Sequence, residues 1–84
     1  MATEAARVRV VKRSLIVAGH RTSVSLEDAF WRRLQQIANE RSLSVNGLAA
    51  EVDAARGDAN LSSALRVFVL EWVARNGHPD EARQ

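Results

Sequence analysis

The stretch from His20 to Asn46, HRTSVSLEDAFWRRLQQIANERSLSVN, contains the change of pattern that decides the fold. Its first residues alternate apolar and polar side chains, so Val24 and Leu26 share one face of a strand. The polar positions of the opposite face are Arg21, Ser23 and Ser25. Helical spacing follows directly, and a second helix starts at Ser44. The stretch therefore predicts a short strand with one polar face, followed by two helices.

The two helices have recognisable ends. Glu27 and Asp28 open the first one, where their charges suit the positive end of the helix dipole, and the helix should end near residues 41–42. The second helix has Ser44 as a good N-cap. It stops at Gly57, which suits the left-handed position after a helix. Both helices carry an apolar stripe on one side.

A third helix is predicted over residues 61–75, with Asn60 or Ser62 as its cap, and it is apolar around most of its circumference. In a chain of 84 residues that is 46% apolar, this predicts burial between subunits, because small obligate dimers complete each other's cores. We therefore expect an intertwined homodimer, able to assemble further. The predicted dimer core consists of Val24, Leu26, Phe30, Leu34, Ile37, Leu48, Val52, Leu65, Phe68, Val69 and Trp72.

The residues before the polar-faced strand are also typical of a strand. Residues 8–18, VRVVKRSLIVA, are rich in Val and Ile, and Gly19-His20 offers a turn in which Gly19 supplies a positive φ. The run Leu15-Ile16-Val17 does not alternate, which predicts that both of its faces are covered. The fold class is therefore mainly α with a short β-ribbon, in which a strand or hairpin precedes three helices.

Charge is distributed unevenly along the chain. Residues 1–26 carry a net charge of +4 and residues 27–84 a net charge of −2. We divide the chain into a basic, flexible arm (1–12), a folded domain (13–76, including the additional helix) and a flexible tail (77–84). A dimer would bring two basic arms to one face, which suits a phosphate-bearing partner. The residues predicted to neutralise phosphates are Arg7, Arg9, Lys12 and Arg13.

Several function classes are disfavoured. The chain has no cysteine, no apolar run of the roughly 18 residues that a membrane span needs, and no apolar segment typical of a secretory signal near residue 1, so we expect a cytoplasmic protein. His20 and His78 are far apart and have no cysteine partners, so we predict no metal site. No nucleophile motif or phosphate-binding glycine loop occurs, so we expect neither an enzyme nor a cofactor.

Residues 20–56 resemble the ribbon-helix-helix family of DNA-binding dimers. In that family each chain contributes one strand to a two-stranded ribbon that reads a DNA groove. The longer patterns KRSLIVAGHRTSVSLEDAFW and DAARGDANLSSALRVFVLE are similar to a bacterial subgroup of small ribbon-helix-helix domain proteins. The resemblance implies a transcriptional regulator that binds double-stranded DNA as a homodimer, associated with the bacterial nucleoid.

The resemblance also assigns roles to residues. It implies that Arg21, Ser23 and Ser25 contact bases, with Arg21 favouring guanine. It implies that the backbone amide groups at the start of the second helix hold a phosphate, as helix N-termini do in general. Those amide groups belong to Ser44, Val45 and Asn46.

Two features depart from the family pattern. Residues 13–18 could pair with the ribbon strand, and a four-stranded sheet would not easily enter a major groove about 12 Å wide. In addition, the family's second helix could begin either at Ser44 or at Ser62, and we favour Ser44 because its spacing from Phe30 fits a compact helix pair. The alternative function is therefore a protein–protein interaction module, such as an adaptor or antitoxin-like protein, on the same fold without specific DNA binding.

Overall fold

The computed structural model describes residues 4–76, and the side chains from residue 6 onwards. The elements are α1 (Glu4–Val8), β1 (Val10–Val17), β2 (His20–Glu27), α2 (Asp28–Glu40), α3 (Val45–Ala55) and α4 (Leu61–Asn76). The predicted hairpin followed by three helices is therefore confirmed, with a short helix ahead of it. The predicted tail, residues 77–84, lies outside the described residues. No helix within residues 4–76 is both long and apolar enough to cross a membrane.

The hairpin is a regular antiparallel pair joined by a two-residue turn. Val17 pairs with His20, and the pairing continues to Val10 opposite Glu27. The turn consists of Ala18 and Gly19, which have φ angles of 52° and 82°. Positive φ at both positions is the mark of a type I′ turn, whose twist matches that of the strands. The turn therefore precedes His20, whereas the sequence predicted a turn at Gly19-His20.

Part of the segment predicted as an arm has regular secondary structure. Within residues 1–12, the described residues from Glu4 form α1 and the first part of β1. The backbone of Arg9 also contacts the start of α2, because the amide group of Asp28 donates a hydrogen bond of 2.9 Å to the Arg9 carbonyl oxygen. Residues 1–3 of the predicted arm lie outside the described residues.

The helix ends follow the local signals in the sequence. After α2, Ser42 takes a positive φ of 58°, close to the predicted end at residues 41–42. Ser44 caps α3, since its side chain accepts a hydrogen bond from the amide group of Gly47. Gly57 has a φ of 62° and follows α3, as predicted from its left-handed preference.

The core lies between the inner face of the hairpin and the three long helices. Its buried side chains are Leu15, Val17, Val24, Leu26, Leu34, Ile37, Ala38, Leu48, Ala49, Val52, Leu61, Leu65 and Val69. Phe30, Phe68 and Trp72 are partly buried against this core. The residues predicted to form a dimer core are thus covered, fully or in part, by their own chain. No charged or polar side chain described in the structure is fully buried.

Helix α4 is covered on one side only. Leu61, Leu65 and Val69 face the core, whereas Val67 and Leu70 are 51% and 66% exposed. The apolar pattern around α4 therefore does not correspond to burial on most sides within one chain. Its exposed apolar stripe remains available for contact with another molecule.

Candidate nucleic-acid interface

The outer face of the hairpin, opposite the core, is open to solvent. Burial alternates along both strands, which places every second side chain on this face. The outer-face residues are Val10, Lys12, Ser14 and Ile16 of β1, and Arg21, Ser23, Ser25 and Glu27 of β2. Ile16 is 49% exposed, so the prediction that both faces of Leu15-Ile16-Val17 are covered is wrong. The hairpin offers a two-stranded surface with polar and basic side chains.

The three predicted base-contacting residues all lie on this outer face. Arg21 and Ser23 are exposed, whereas Ser25 is partly buried. The Ser25 amide group donates a hydrogen bond of 3.0 Å to Ser62 Oγ, and the Ser25 carbonyl oxygen accepts one of 2.9 Å from Arg66 Nη2. Helix α4 therefore covers the free edge of β2 at Ser25, and Arg21 and Ser23 are the more accessible of the three.

Strand β1 contributes residues to this face that the sequence pattern alone did not assign to it. Ser14 lies directly opposite Ser23, and Lys12 lies directly opposite Ser25. Lys12 was predicted to contact phosphates from a flexible arm, and Ser14 was given no role. Both residues alternate with Leu15 and Val17, which are buried, but the apolar Ile16 interrupts this alternation in the sequence.

The outer face has a positive charge because its one carboxylate is engaged. Glu27 is the single acidic residue in the two strands, and Arg66 Nε lies 2.8 Å from its Oε1. This hydrogen bond from Arg66, assisted by a backbone hydrogen bond, lowers the pKa of Glu27 below its ordinary value of 4.5. Lys12 and Arg21 are left as the charges that an approaching polyanion would meet.

Arg13 differs from the other basic residues near the N-terminus. Its side chain faces the helices, with the guanidinium carbon 4.5 Å from the centroid of the Trp31 ring and Nη2 3.6 Å from an Asp28 carboxylate oxygen. These contacts fasten β1 to the start of α2. Arg13 therefore does not fit the predicted role of a phosphate contact, whereas Arg7 and Arg9 are exposed.

The start of α3 lies against the outer edge of β1. Ile16 donates a backbone hydrogen bond of 3.3 Å to Asn46 Oδ1. Ser44 Oγ accepts from the Gly47 amide group at 2.9 Å, and the Ser44 carbonyl oxygen accepts from Leu48 at 2.9 Å. The amide groups of Val45 and Asn46 precede that first intrahelical bond, so they can donate to an external anion. The predicted phosphate contacts and the hairpin are thus neighbours.

A family model described as a ribbon-helix-helix domain matches residues 10–73, from β1 to near the end of α4. The chain belongs to the ribbon-helix-helix family. Ribbon-helix-helix domains are generally those of DNA-binding transcription regulators and antitoxins, and the DNA-binding members act as dimers. The matched region includes both strands of the hairpin, β1 and β2, which pair with each other within one chain.

One solved structure is similar to this ribbon-helix-helix chain. It is that of an uncharacterized protein from Bordetella pertussis Tohama I, which is 32% identical. The match covers 96% of this chain and 70% of that chain, with a TM-score of 0.72. No curated protein matches the chain.

The family match includes both predicted starts for the second helix. Asn60 caps α4 much as Ser44 caps α3, because its Oδ1 accepts a hydrogen bond of 3.2 Å from the Ser63 amide group. The equivalence of Ser44 with the start of the second helix in other ribbon-helix-helix proteins stays a prediction.

Proposed function

We propose that this protein is a transcriptional regulator that inserts the outer face of its β1–β2 hairpin into the major groove of double-stranded DNA. The observation that supports this most strongly is the outer face itself. On this face Arg21, Ser23 and Lys12 are exposed. The charge of Glu27 is neutralised by its ion pair with Arg66. Arginine and lysine can bind guanine, and serine can donate to or accept from several bases.

The dimensions of the hairpin suit the groove. Neighbouring strands lie about 4.8 Å apart, so a two-stranded ribbon fits a major groove about 12 Å wide. The concern about a four-stranded sheet applies only if two hairpins join edge to edge. Contacts from Ser62 and Arg66 at Ser25, and from Asn46 at Ile16, occupy part of both edges and oppose that joining.

Phosphate contacts would surround the inserted hairpin. We propose that the amide groups at the α3 start, at Ser44, Val45 and Asn46, bind one phosphate, since this helix end lies beside Ile16. Arg7 and Arg9 are exposed and would add sequence-independent attraction. Arg13 is omitted from this set because it is engaged with Trp31 and Asp28.

We propose that the protein acts as a homodimer whose interface lies on α4. What supports this is the apolar surface that the single chain leaves exposed, which on α4 includes Val67 and Leu70. Such a dimer would present two separate hairpins to two sites on the DNA. This arrangement differs from the intertwined ribbon expected from the sequence, which stays a prediction.

A specific feature favours the alternative function, a protein-binding module. A groove of about 490 Å³ lies between α3 and α4, and its lining includes Val52, Ala55, Val67 and Phe68 together with Glu51 and Glu71. An amphipathic segment of a partner could place apolar side chains there, as in helix-in-groove recognition.

The experiment that tests the proposal is a salt series of binding to a random duplex and to a duplex obtained by selection. The proposal predicts affinity that falls as salt rises, with tighter binding to the selected duplex. The absence of any salt-dependent binding to double-stranded DNA would reject it in favour of the protein-binding alternative. Asn39→Asp, on the exposed side of α2, provides a charge-change control that should bind DNA almost as well as the wild type.

A further inference from the structure

The two strands of the hairpin are related by a local twofold axis through the Ser14–Ser23 pair. Ser14 and Ser23 face each other directly, and the antiparallel register makes Lys12 of β1 equivalent to Arg21 of β2. All four residues are exposed on the outer face. The outer face thus carries the same arrangement, a basic residue and then a serine, once on each strand and in opposite directions.

The inner face of the hairpin follows the same symmetry. Leu15 is equivalent to Val24, and Val17 is equivalent to Leu26. All four are buried, with exposures of 6%, 1%, 4% and 0%. The segments KRSLIV and RTSVSL, residues 12–17 and 21–26, therefore match in side-chain class at four of six positions, and differ at Arg13/Thr22 and Ile16/Ser25.

The edges of the hairpin are braced symmetrically as well. Ile16 and Ser25 occupy equivalent positions, and each donates its outward amide hydrogen to a side-chain oxygen near the start of a helix. The acceptor is Asn46 of α3 in one case and Ser62 of α4 in the other, and each is the second residue of its helix. Both halves of the hairpin are therefore held in the same way by different parts of one chain.

We infer that a single chain carries a complete DNA-reading ribbon, in which Lys12 and Ser14 contact bases in the same way as Arg21 and Ser23 do. This inference rests on the proposed DNA-binding function. In the family's dimers the two ribbon strands come from two chains. Here β1 takes the place of the partner's strand, so one chain is the unit that occupies one stretch of major groove.

The symmetry is broken at one outer-face position, where β1 has Ile16 and β2 has Ser25. Ile16 is 49% exposed and lies directly opposite Arg21. An apolar side chain on a groove-facing surface can contact the C5-methyl group of thymine. Ile16 would therefore fix the orientation of the ribbon on the DNA, because it would contact a thymine at only one end of a site that is otherwise nearly symmetric.

The equivalence of the strands is tested by comparing matched alanine variants on the selected duplex and on random DNA. Lys12→Ala and Arg21→Ala should each lower affinity for the selected duplex roughly tenfold, with a smaller loss on random DNA. Ser14→Ala and Ser23→Ala should show smaller losses that resemble each other. Arg75→Ala, which removes one exposed positive charge near the end of α4, is the control and should have little effect.

The outcomes separate the inference from the proposed function. If Arg21→Ala and Ser23→Ala weaken binding to the selected duplex while Lys12→Ala and Ser14→Ala behave like the control, the inference is overturned and DNA binding stands. If the wild type shows no salt-dependent binding to double-stranded DNA, the proposed function is overturned and the inference with it.

The proposed contact between Ile16 and thymine is tested by a separate measurement. Replacing the thymines of the selected duplex by uracil removes their methyl groups, and this should weaken wild-type binding roughly fourfold, as expected for the loss of one buried methyl contact. Ile16→Ser, which makes β1 match β2 at this position, should show the same affinity for both duplexes. Equal losses in the wild type and the variant would refute a thymine contact by Ile16.

Discussion

Two leucines on α4 provide a matched test of how this helix is packed. Leu65 is 0% exposed in the core, whereas Leu70 is 66% exposed on the opposite side. Leu65→Ala and Leu70→Ala delete the same atoms from the same helix. Any difference between the two variants therefore reports the surroundings of the side chains and not their helix propensity.

The expected magnitudes follow from burial. Leu65→Ala should lower the free energy of unfolding by about 3 kcal/mol, within the usual range for a fully buried leucine. Leu70→Ala should change it by no more than about 0.5 kcal/mol in dilute solution. For a domain of this size each kcal/mol moves the midpoint by roughly 4–8 °C, so Leu65→Ala should melt roughly 12–24 °C below the wild type.

The assay is thermal and urea unfolding, followed by circular dichroism at several protein concentrations. If α4 forms the proposed homodimer interface, the wild-type midpoint should rise with protein concentration. Leu70→Ala should weaken that dependence without changing the midpoint at the lowest concentration. If Leu70→Ala costs as much as Leu65→Ala at the lowest concentration, the packing of α4 described above is wrong.

Three further predictions concern capping, phosphate contacts and acid stability. Ser44→Ala should cost about 1 kcal/mol of stability, because the Gly47 amide group loses its acceptor, and should weaken binding to every DNA sequence; an unchanged midpoint would count against the cap. Arg9→Ala should reduce the slope of log affinity against log salt by about 1, and an unaltered slope would remove Arg9 from the phosphate contacts. Because Arg66 lowers the pKa of folded Glu27 below 4.5, the pair stabilises the fold above that pH, and the contribution disappears as pH falls through the lowered value. Glu27→Gln should therefore lose less stability on acidification than the wild type, and identical acid profiles would contradict this.

Local signals in the sequence were sufficient for most of the fold. The helix starts at Ser44 and Asn60 follow from capping residues, and the left-handed residue after α3 follows from Gly57. The hairpin turn lies one residue earlier than the sequence predicted, because Ala18 takes a positive φ, a conformation that alanine seldom adopts. No local preference in the sequence indicates that exception.

The sequence-based prediction was weakest for β1, where it did not separate the inward-facing residues from the outward-facing ones. Charge alone grouped Arg13 with Lys12 as phosphate contacts. The structure separates them, because Arg13 shares the inner face with Leu15 and contacts Trp31, whereas Lys12 is on the outer face. Counting back from the buried Val17 in steps of two places Arg13 on the inner face and leaves Lys12 on the outer face.

Two features could be recognised only from the three-dimensional structure. The sequence shows that α4 is apolar nearly all round, but a single chain does not reveal whether its own core or a partner covers each side. The structure assigns Leu65 and Val69 to the core and leaves Val67 and Leu70 exposed. The local twofold of the hairpin was also not apparent, because it depends on the pairing register and on side-chain class more than on identity.

The most direct test of the DNA-binding account is a nuclear magnetic resonance titration of the isotope-labelled protein with the selected duplex. The account predicts that the largest changes in backbone amide signals occur on the outer face of the hairpin, at Lys12, Ser14, Arg21 and Ser23, and at the start of α3. It predicts little change at Val67 and Leu70. Changes confined to the groove between α3 and α4, with the hairpin signals unmoved, would contradict it.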